Sequence, residues 1–281
     1  MANKKISELT ELLRANVNTD DVLAIVDDSA TETKKIKAKG VAQLNEFDTI
    51  SDLDSCPWLE VGDVVMTHGY NSLGDGGGNT YEIVPAATGT ADGGAYIDLT
   101  TSGLQAKGLF PDGPNFNQWG ATGDGTTDDS TAIQAAIDWW LDTTGVTSGT
   151  GLPMKLSGYP GADYRLNTGI TLTATDNGVD HAILDFNGSS VTPYVSSGSN
   201  VFSFNAGSYL WRNFKIRDLD MRMNNSSADA GIFMDGSDNT PGSEALYRFV
   251  IDNPVIEGIQ AGSSGIHIKN NSFEFYIENP M

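Results

Sequence analysis

The second half of the chain is a succession of short apolar runs, and the parity of the apolar positions reverses at the polar residues between them. Phe214 and Ile216 share one parity, whereas Leu219 and Met221 share the other. A continuous strand would place these two pairs on opposite faces of a sheet, because successive side chains alternate. A bend at residues 217–218 would turn both pairs inward. The same reversal recurs around residues 252–254 and 270–272.

Short strands, polar corners and inward apolar residues after each corner are typical of a parallel β-solenoid. The sequence therefore predicts a mainly β fold in which residues 114–281 wind into stacked coils. The spacing of the runs is irregular, so a β-sandwich remains the alternative architecture.

One amphipathic α-helix is predicted immediately before these runs, at about residues 128–142. Its apolar stripe has the spacing i, i+3, i+4, i+7 and i+8, and consists of Ile133, Ala136, Ile137, Trp140 and Leu141. Asp128 and Asp129 are expected in the first turn, where carboxylates suit the positive end of the helix dipole. Thr131 and Gln134 have the spacing of a capping box. A calcium loop is the weaker interpretation of the two carboxylates, since the EF-hand positions of Gly and Glu do not match, and no metal is predicted.

Two further segments precede the helix. Residues 1–46 contain too few large apolar groups to bury a core alone, so we expect them to be ordered by docking onto something else, with a floppy tail as the alternative. Residues 47–113 are predicted to be a small β module with strands near 61–67, 80–84, 95–99 and 106–109. The glycine-rich run at 74–79 lies between two of these strands and lacks the spacing of a phosphate loop, which favours a hairpin loop.

The charge balance narrows the possible partners. The chain has 37 Asp and Glu against 16 Lys and Arg, a formal charge of −21, which disfavours binding to nucleic acid or to an anionic membrane. Its one cysteine, Cys56, excludes an internal disulfide framework and a cysteine-based zinc site. No apolar run approaches the length of a membrane span, and Glu8 and Glu11 interrupt any signal-peptide core. We expect the protein to be made in a cytoplasm.

The segment from Phe116 to Asp138, with its run GATGDGTTDDSTAI, strongly resembles the opening motif of the pectate-lyase-like right-handed β-helix superfamily, which is common in bacteriophage tailspikes. In that family the helix caps the first coil of the solenoid. The resemblance implies this capping role for Asp128, Asp129, Ile133, Ile137 and Trp140. A cap is physically favourable, because the end of a solenoid would otherwise expose its core and its strand edges.

The upstream residues resemble other parts of phage tailspikes and tail fibres. Residues 61–81 are similar to the small β module that often precedes the β-helix, and the start of the chain resembles a virion-anchoring segment. The residues implied in docking to the virion are Ile6, Leu9, Val22, Ile25, Lys34, Lys35 and Ile36. The resemblance further implies a homotrimer in the virion tail, phage tail or baseplate proteins and host surface polysaccharide as partners, and no cofactor.

The length departs from the family pattern. At about 20–25 residues per coil, the residues after the motif give about six or seven coils and a column of ~30 Å. Either the sequence is part of a longer spike, or it is a short spike or adaptor.

Glycan hydrolysis needs a pair of carboxyl groups, whereas a lyase needs a base with cation assistance. Nothing in the spacing selects a pair among the acids of the solenoid region, so no catalytic residue is assigned. These acids are Asp185, Asp218, Asp220, Asp229, Asp235, Asp238, Glu244, Asp252, Glu257, Glu274 and Glu278. A basic cluster of Arg212, Lys215, Arg217 and Arg222 could meet an anionic glycan, but pairing with Asp218 and Asp220 is favoured. Tyr209 and Trp211 could stack on sugars, although core packing is more usual.

Three functional hypotheses follow. The favoured one is a tailspike or tail fibre protein that attaches to the virion by its N-terminus and presents a β-helix for glycan recognition. The alternative is a depolymerase that cleaves host capsule or lipopolysaccharide. A free pectate-lyase-like enzyme is the third, and the anchor-like start disfavours it.

Overall fold

The computed structural model describes residues 22–26, 33–37, 45–143, 155–173, 179–205, 211–236, 246–270 and 272–280. The chain divides into two compact units, Met1–Asn45 and Glu46–Met281. The described residues of the first unit form an antiparallel hairpin of β1 (Val22–Val26) and β2 (Thr33–Lys37). The strand predicted at residues 22–26 is therefore confirmed, while the turns expected on either side of it lie outside the described residues.

The second unit begins with the predicted β module, which has a hydrophobic core of its own around Leu53, Tyr81 and Ile83. The module contains β3 (Glu46–Phe47), α1 (Ile50–Asp54), β4 (Val64–Thr67), β5 (Thr80–Val84), β6 (Tyr96–Leu99) and β7 (Leu104–Gly108). Its sheet has the order β3-β4-β5-β7-β6. The short helix α1 was not predicted from the hydrophobic pattern, although Thr49 and Asp52 form a complete capping box at its start.

The glycine-rich run is a hairpin loop between β4 and β5, as predicted, and it packs against the start of the solenoid. Side-chain amides of Asn115, Asn117 and Gln118 donate to carbonyl groups in this loop, at Gly76, Asp75 and Gly78 respectively. The contact requires glycine at position 77, because a Cβ atom there would collide with the Asn117 carbonyl oxygen. The loop glycines thus allow close packing of two backbones rather than phosphate binding.

The described residues from Asp124 onward form a parallel β-solenoid. Its elements are β8 (Asp124–Asp128), α2 (Ser130–Thr143), β9 (Lys155–Ser157), β10 (Asp163–Leu166), β11 (Ile170–Thr173), β12 (Val179–Asp180), β13 (Ile183–Asp185), β14 (Ser190–Pro193), β15 (Asn200–Asn205), β16 (Trp211–Arg212), β17 (Lys215–Arg217), β18 (Asp220–Arg222), β19 (Ala230–Gly236), β20 (Leu246–Asp252), β21 (Val255–Glu257), β22 (Ser264–Asn270) and β23 (Ser272–Glu278).

These strands stack into three parallel sheets. The orders are β21-β18-β14-β10-β8, β11-β15-β19-β22, and β12-β16-β20-β17-β13-β9 with β23 beside β20. Each strand pairs with the strand one coil away, and the described pairings within these sheets are parallel. The predicted solenoid is therefore confirmed, and the β-sandwich alternative is wrong.

The predicted corners are confirmed as well. Phe214, Ile216, Leu219 and Met221 all point inward and are buried, and Asp218 between them adopts a left-handed conformation with φ of 54°. The two later corners contain Asn253 and Asn270 with φ of 54° and 59°. Asn and Asp tolerate this conformation better than other residues with a Cβ atom, which explains why they punctuate the apolar runs.

The coils are larger and fewer than predicted. Ile183 pairs with Lys215 and Lys215 with Val250, offsets of 32 and 35 residues rather than 20–25. The sheet β21-β18-β14-β10-β8 accordingly stacks five strands instead of the six or seven coils predicted, which corresponds to ~19 Å of column at the usual strand spacing. The difference arises because connections outside the strands, such as residues 194–199, lengthen each coil without contributing to the hydrophobic pattern.

Helix α2 begins at Ser130, so Asp128 and Asp129 precede it rather than lying in its first turn. Asp128 Oδ1 accepts from the backbone and the hydroxyl of Ser130. Asp129 is buried and accepts from the backbone N–H groups of Thr122 and Gly123. Burial raises the pKa of Asp129, and these N–H donors oppose that shift. Asp129 therefore fixes the loop that leads into the helix, and Asp128 holds the first residue of the helix.

The capping box expected at Gln134 does not form, because its amide serves the sheet edge instead. Gln134 Oε1 accepts from the Thr171 N–H at 2.8 Å, and its Nε2 donates to the Thr171 carbonyl at 2.8 Å. Thr171 lies in β11, the first strand of its sheet. The Gln134 side chain thus satisfies the N–H and carbonyl groups of Thr171, which at an exposed strand edge could otherwise pair with another strand.

The apolar stripe of α2 faces the solenoid core, where Ile133, Ile137 and Trp140 are buried. Trp140 starts a column of rings that continues through Phe214, Phe249 and Phe275 at centroid distances of 6.0, 5.0 and 6.0 Å. Such contacts stabilise a core beyond the area that they bury. The helix and successive coils are therefore held together by one aromatic stack.

Polar contacts also connect successive coils at the outer surface. Lys215 Nζ lies 2.7 Å from Asp252 Oδ2, and Asn279 donates to Asp252 Oδ1 at 3.1 Å. These hydrogen bonds, led by the one from Lys215, hold the pKa of Asp252 below its ordinary value. Asp252 thus stabilises the stack as a carboxylate.

Replacement of Trp140 by Ala should remove the first ring of the column and leave a cavity beneath it. We expect the free energy of unfolding to fall by about 3–5 kcal/mol, as measured by urea denaturation. The matched control is Thr131→Ala, an exposed position on the same helix, which should change stability by less than about 0.5 kcal/mol. Equal losses in the two variants would contradict this role of Trp140.

The variant Asp252→Asn should be less stable than the wild type at pH 7 by about 1 kcal/mol or less. A lowered carboxyl pKa stabilises the fold above the ordinary value of 3.8, and this contribution disappears as the pH falls through the lowered pKa. The stability gap should therefore close in acid, as followed by thermal unfolding between pH 7 and pH 2. In a Lys215→Met background, Asp252→Asn should have a clearly smaller effect; a pH-independent gap would refute the assignment.

Candidate functional site on the outer solenoid surface

The sheet β8-β10-β14-β18-β21 presents a row of polar and aromatic side chains outward. Its inward positions, such as Tyr164, Val191 and Met221, are buried, so the alternate residues face away from the core. We call these outward residues the polar strip: Asp163, Arg165, Thr192, Tyr194, Asp220, Arg222, Asn225 and Glu257. The strip crosses four stacked strands and also includes Tyr194, directly after β14, and Asn225, three residues after β18.

Carboxylates in the strip are held by hydroxyl groups and by arginine. Asp163 Oδ1 accepts from Ser190 Oγ at 3.0 Å and from Thr192 Oγ1 at 2.8 Å. Asp220 Oδ2 lies 2.9 Å from an Arg222 guanidinium nitrogen. Hydrogen bonding to Asp220 raises the already high pKa of Arg222, and the charges of Asp163 and Glu257 act in the same direction. One carboxylate therefore contacts this guanidinium, and two others act on it electrostatically.

Tyr194 is the exposed aromatic residue of the strip, with 37% of its surface accessible. The Arg165 guanidinium lies 4.1 Å from the centroid of its ring, and Asn225 Nδ2 lies 3.2 Å from its hydroxyl. Arg165 is itself fixed by bonds to Asn167 Oδ1 and the Thr126 carbonyl. An aromatic ring held in place beside hydrogen-bonding side chains can pack on the C–H face of a sugar while its neighbours bond to hydroxyl groups.

The basic cluster noted in the sequence is divided between two sheets. Arg212 and Lys215 pair with Asp180 and Asp252, at 3.7 and 2.7 Å. The expected pairs of Arg217 with Asp218 and of Arg222 with Asp220 are present at 3.5 and 2.9 Å. The structure therefore favours ion pairing over a shared anion site for these four residues.

Asp185 is the most deeply buried of the acids considered in the sequence, with no accessible side-chain surface. Its Oδ2 lies 2.9 Å from Arg217 and 3.4 Å from Lys155, on strands one coil away in each direction. This is a structural bridge between coils rather than a group open to a substrate. Asp235 and Glu274 are likewise paired, with Lys269 and Arg248. Asp238 and Glu244 lie outside the described residues.

The remaining sequence candidates are dispersed. Trp211 is fully buried in the core and offers no surface to a sugar, and Tyr209 lies outside the described residues. Within the part of the chain that the structure describes, no group of three or more His, Cys, Asp and Glu residues is arranged to hold a metal ion. In the same residues no helix is both long and apolar enough to cross a bilayer.

The predicted virion-docking residues fall on the N-terminal hairpin or outside the described residues. Val22 and Ile25 lie on β1, and Lys34, Lys35 and Ile36 on β2. Ile25 is opposite Lys34 in the register. Ile6 and Leu9 are not among the described residues.

Sequence reasoning missed Asp163, Arg165 and Tyr194. The signal was available in the alternation of β10 and in the step from Thr192 to Tyr194, which continues the outward parity past the end of β14. This alternation is a weak signal because the strands are short. In addition, only the register between coils brings Arg165 beside Thr192.

No protein-family model matches the chain, and no curated protein matches it. Solved structures do. The tailspike protein gp49 from Acinetobacter baumannii bacteriophage Fri1, described as a capsular polysaccharide depolymerase, is 16% identical with a TM-score of 0.55, covering 84% of this chain and 42% of that chain. The tailspike protein of Acinetobacter baumannii phage AM24 is 15% identical with a TM-score of 0.52, covering 76% of this chain and 33% of that chain.

This chain spans less than half the length of either tailspike protein. At such low identity the likeness concerns the fold. The chain therefore has a parallel β-helix fold of the kind found in bacteriophage tailspike proteins.

Proposed function

We propose that this chain is part of a bacteriophage tailspike or tail fibre, attached to the virion through residues 1–46 and presenting its solenoid to a host surface glycan. The observation that carries this proposal is the polar strip, in which the exposed ring of Tyr194 lies beside hydrogen-bonding side chains on a tailspike-like β-helix. The proposed place of the protein is the virion tail, after synthesis in the host cytoplasm.

The N-terminal segment supports the attachment role by its composition and pairing. A two-stranded hairpin is marginal in water on its own, and β2 places three lysines beside the apolar strand β1. Such a hairpin gains stability by docking onto a larger surface. We propose phage tail or baseplate proteins as that surface, a homotrimer as the assembled state, and the division into segments 1–46, 47–113 and 114–281.

A second function, glycan depolymerisation, is favoured by one specific arrangement. Asp163 and Asp220 face outward from strands on either side of Ser190, so they are two strand spacings apart, or ~9.6 Å between backbones. Asp163 leans toward the strand between them, where it accepts from Ser190 Oγ at 3.0 Å, which brings its carboxyl group closer to Asp220 than the backbones are. Inverting glycosidases hold their carboxyl groups at about 6.5–9.5 Å. The pair could act as acid and base across a glycosidic bond.

Removal of residues 1–46 should leave a folded, soluble oligomer that no longer joins the phage particle. The measurement supplies full-length or shortened protein to a phage that lacks its own copy, followed by mass spectrometry of purified particles. Sedimentation of the shortened protein should give the mass of a trimer. Undiminished incorporation would refute the anchor assignment, and a monomer would refute the proposed assembly.

If the solenoid is a depolymerase, incubation with the surface polysaccharide of its host should shorten the polymer, as seen by size-exclusion chromatography. Asp163→Asn and Asp220→Asn should each lower the rate by at least about 100-fold, since each removes one of the two proton-transfer groups. Thr173→Ala, an exposed change on the sheet that begins with β11, should leave the rate unchanged. Intact polymer after incubation with the wild type would leave glycan binding as the role of the strip.

A further inference from the structure

The negative charge of the protein is concentrated in its second unit. Residues 46–281 contain 30 Asp and Glu but only 9 Lys and Arg, so this unit carries the whole formal charge of −21. A net charge of this size produces a repulsive potential for anionic polymers that extends about a Debye length from the surface. The glycan that approaches the solenoid must do so through this field.

Most of the positively charged side chains in this unit form ion pairs with carboxylates. In the described part of the unit, eight of the nine Lys and Arg side chains lie within 4.0 Å of an Asp or Glu. The pairs are Lys107–Glu82, Lys155–Asp185, Arg212–Asp180, Lys215–Asp252, Arg217–Asp185, Arg222–Asp220, Arg248–Glu274 and Lys269–Asp235. The ninth, Arg165, is stacked on Tyr194 and bonded to Asn167 and Thr126. An anionic sugar would have to compete with these contacts.

The polar strip also carries a net negative charge. Its charged members are Asp163, Asp220 and Glu257 against Arg165 and Arg222, a net charge of −1. Its other members, Thr192, Tyr194 and Asn225, are uncharged hydrogen-bonding groups. Carboxylates accept hydrogen bonds from hydroxyl groups strongly, because one partner is ionised. They repel the carboxylates of uronic or sialic acids.

We infer that the polar strip takes an uncharged, hydroxyl-rich glycan strand rather than a polyanionic one. This inference rests on the proposed glycan-binding function of the strip and specifies its ligand. Sugar hydroxyl groups donate to Asp163, Asp220 and Glu257, and a sugar ring packs on the exposed part of Tyr194. Because no ion pair forms between protein and glycan, the affinity depends little on salt.

The test uses the full chain on an array of purified bacterial capsular and O-antigen polysaccharides, half of them neutral and half containing uronic or sialic acids. Binding is measured at 20 mM and 300 mM sodium chloride. We expect binding to neutral members, with affinities that agree within about twofold at the two salt concentrations. Binding confined to acidic members, with an affinity that falls as salt rises, would overturn the inference and leave the proposed function intact.

Variants locate the binding to the strip. Tyr194→Ala and Asp220→Asn should each weaken binding to the neutral glycan at least tenfold, while Tyr194→Phe keeps the ring and should retain most of it. Thr173→Ala, on another sheet, is the control and should bind like the wild type. Unchanged binding by both Tyr194→Ala and Asp220→Asn overturns the inference for this surface. Binding to no polysaccharide at all would overturn the proposed function together with it.

Discussion

The architecture depends on continuous packing along the axis of the solenoid, from the indole of Trp140 through Phe214 and Phe249 to Phe275. Each parallel strand buries its inner residues only if a neighbouring coil lies above or below it, so no coil is stable alone. The helix supplies the first layer of this stack. With the inner column fixed, the outward residues of successive coils acquire a defined register, and the polar strip is a product of that register.

Much of the fold was predictable because its signals are local. The reversal of parity around Arg217 and Asp218 required a corner, and the spacing from Ile133 to Leu141 required a helix with one buried face. Both features depend on neighbours a few residues apart, and both are present. The size of a coil was not predictable, since the connections between strands follow no periodicity and their length decides which strands become partners.

The candidate site was much harder to predict from the sequence, because it too depends on which strands become partners. Arg165 and Tyr194 meet through a hydrogen-bond register between β10 and β14 that no local pattern encodes. Gln134 shows the same limit: its distance from Thr131 suggested a cap, but a strand 37 residues later competes for the amide. Asp128 and Asp129 were expected in the first turn of the helix, whereas both precede it: Asp128 bonds to Ser130, its first residue, and Asp129 to the loop before it. At Gln134 a long-range backbone partner therefore overrides the local preference, whereas at Thr49 and Asp52 the local capping box forms.

The bidentate contact of Gln134 with Thr171 has a consequence for how copies of the protein meet. Exposed strand edges invite intermolecular sheet extension, a common route to aggregation. Here a glutamine amide occupies both the donor and the acceptor of Thr171, and the helix behind it obstructs the approach of a foreign backbone. Thr171 is thereby unavailable to the strand of another copy, which protects this edge of the β11 sheet against intermolecular extension.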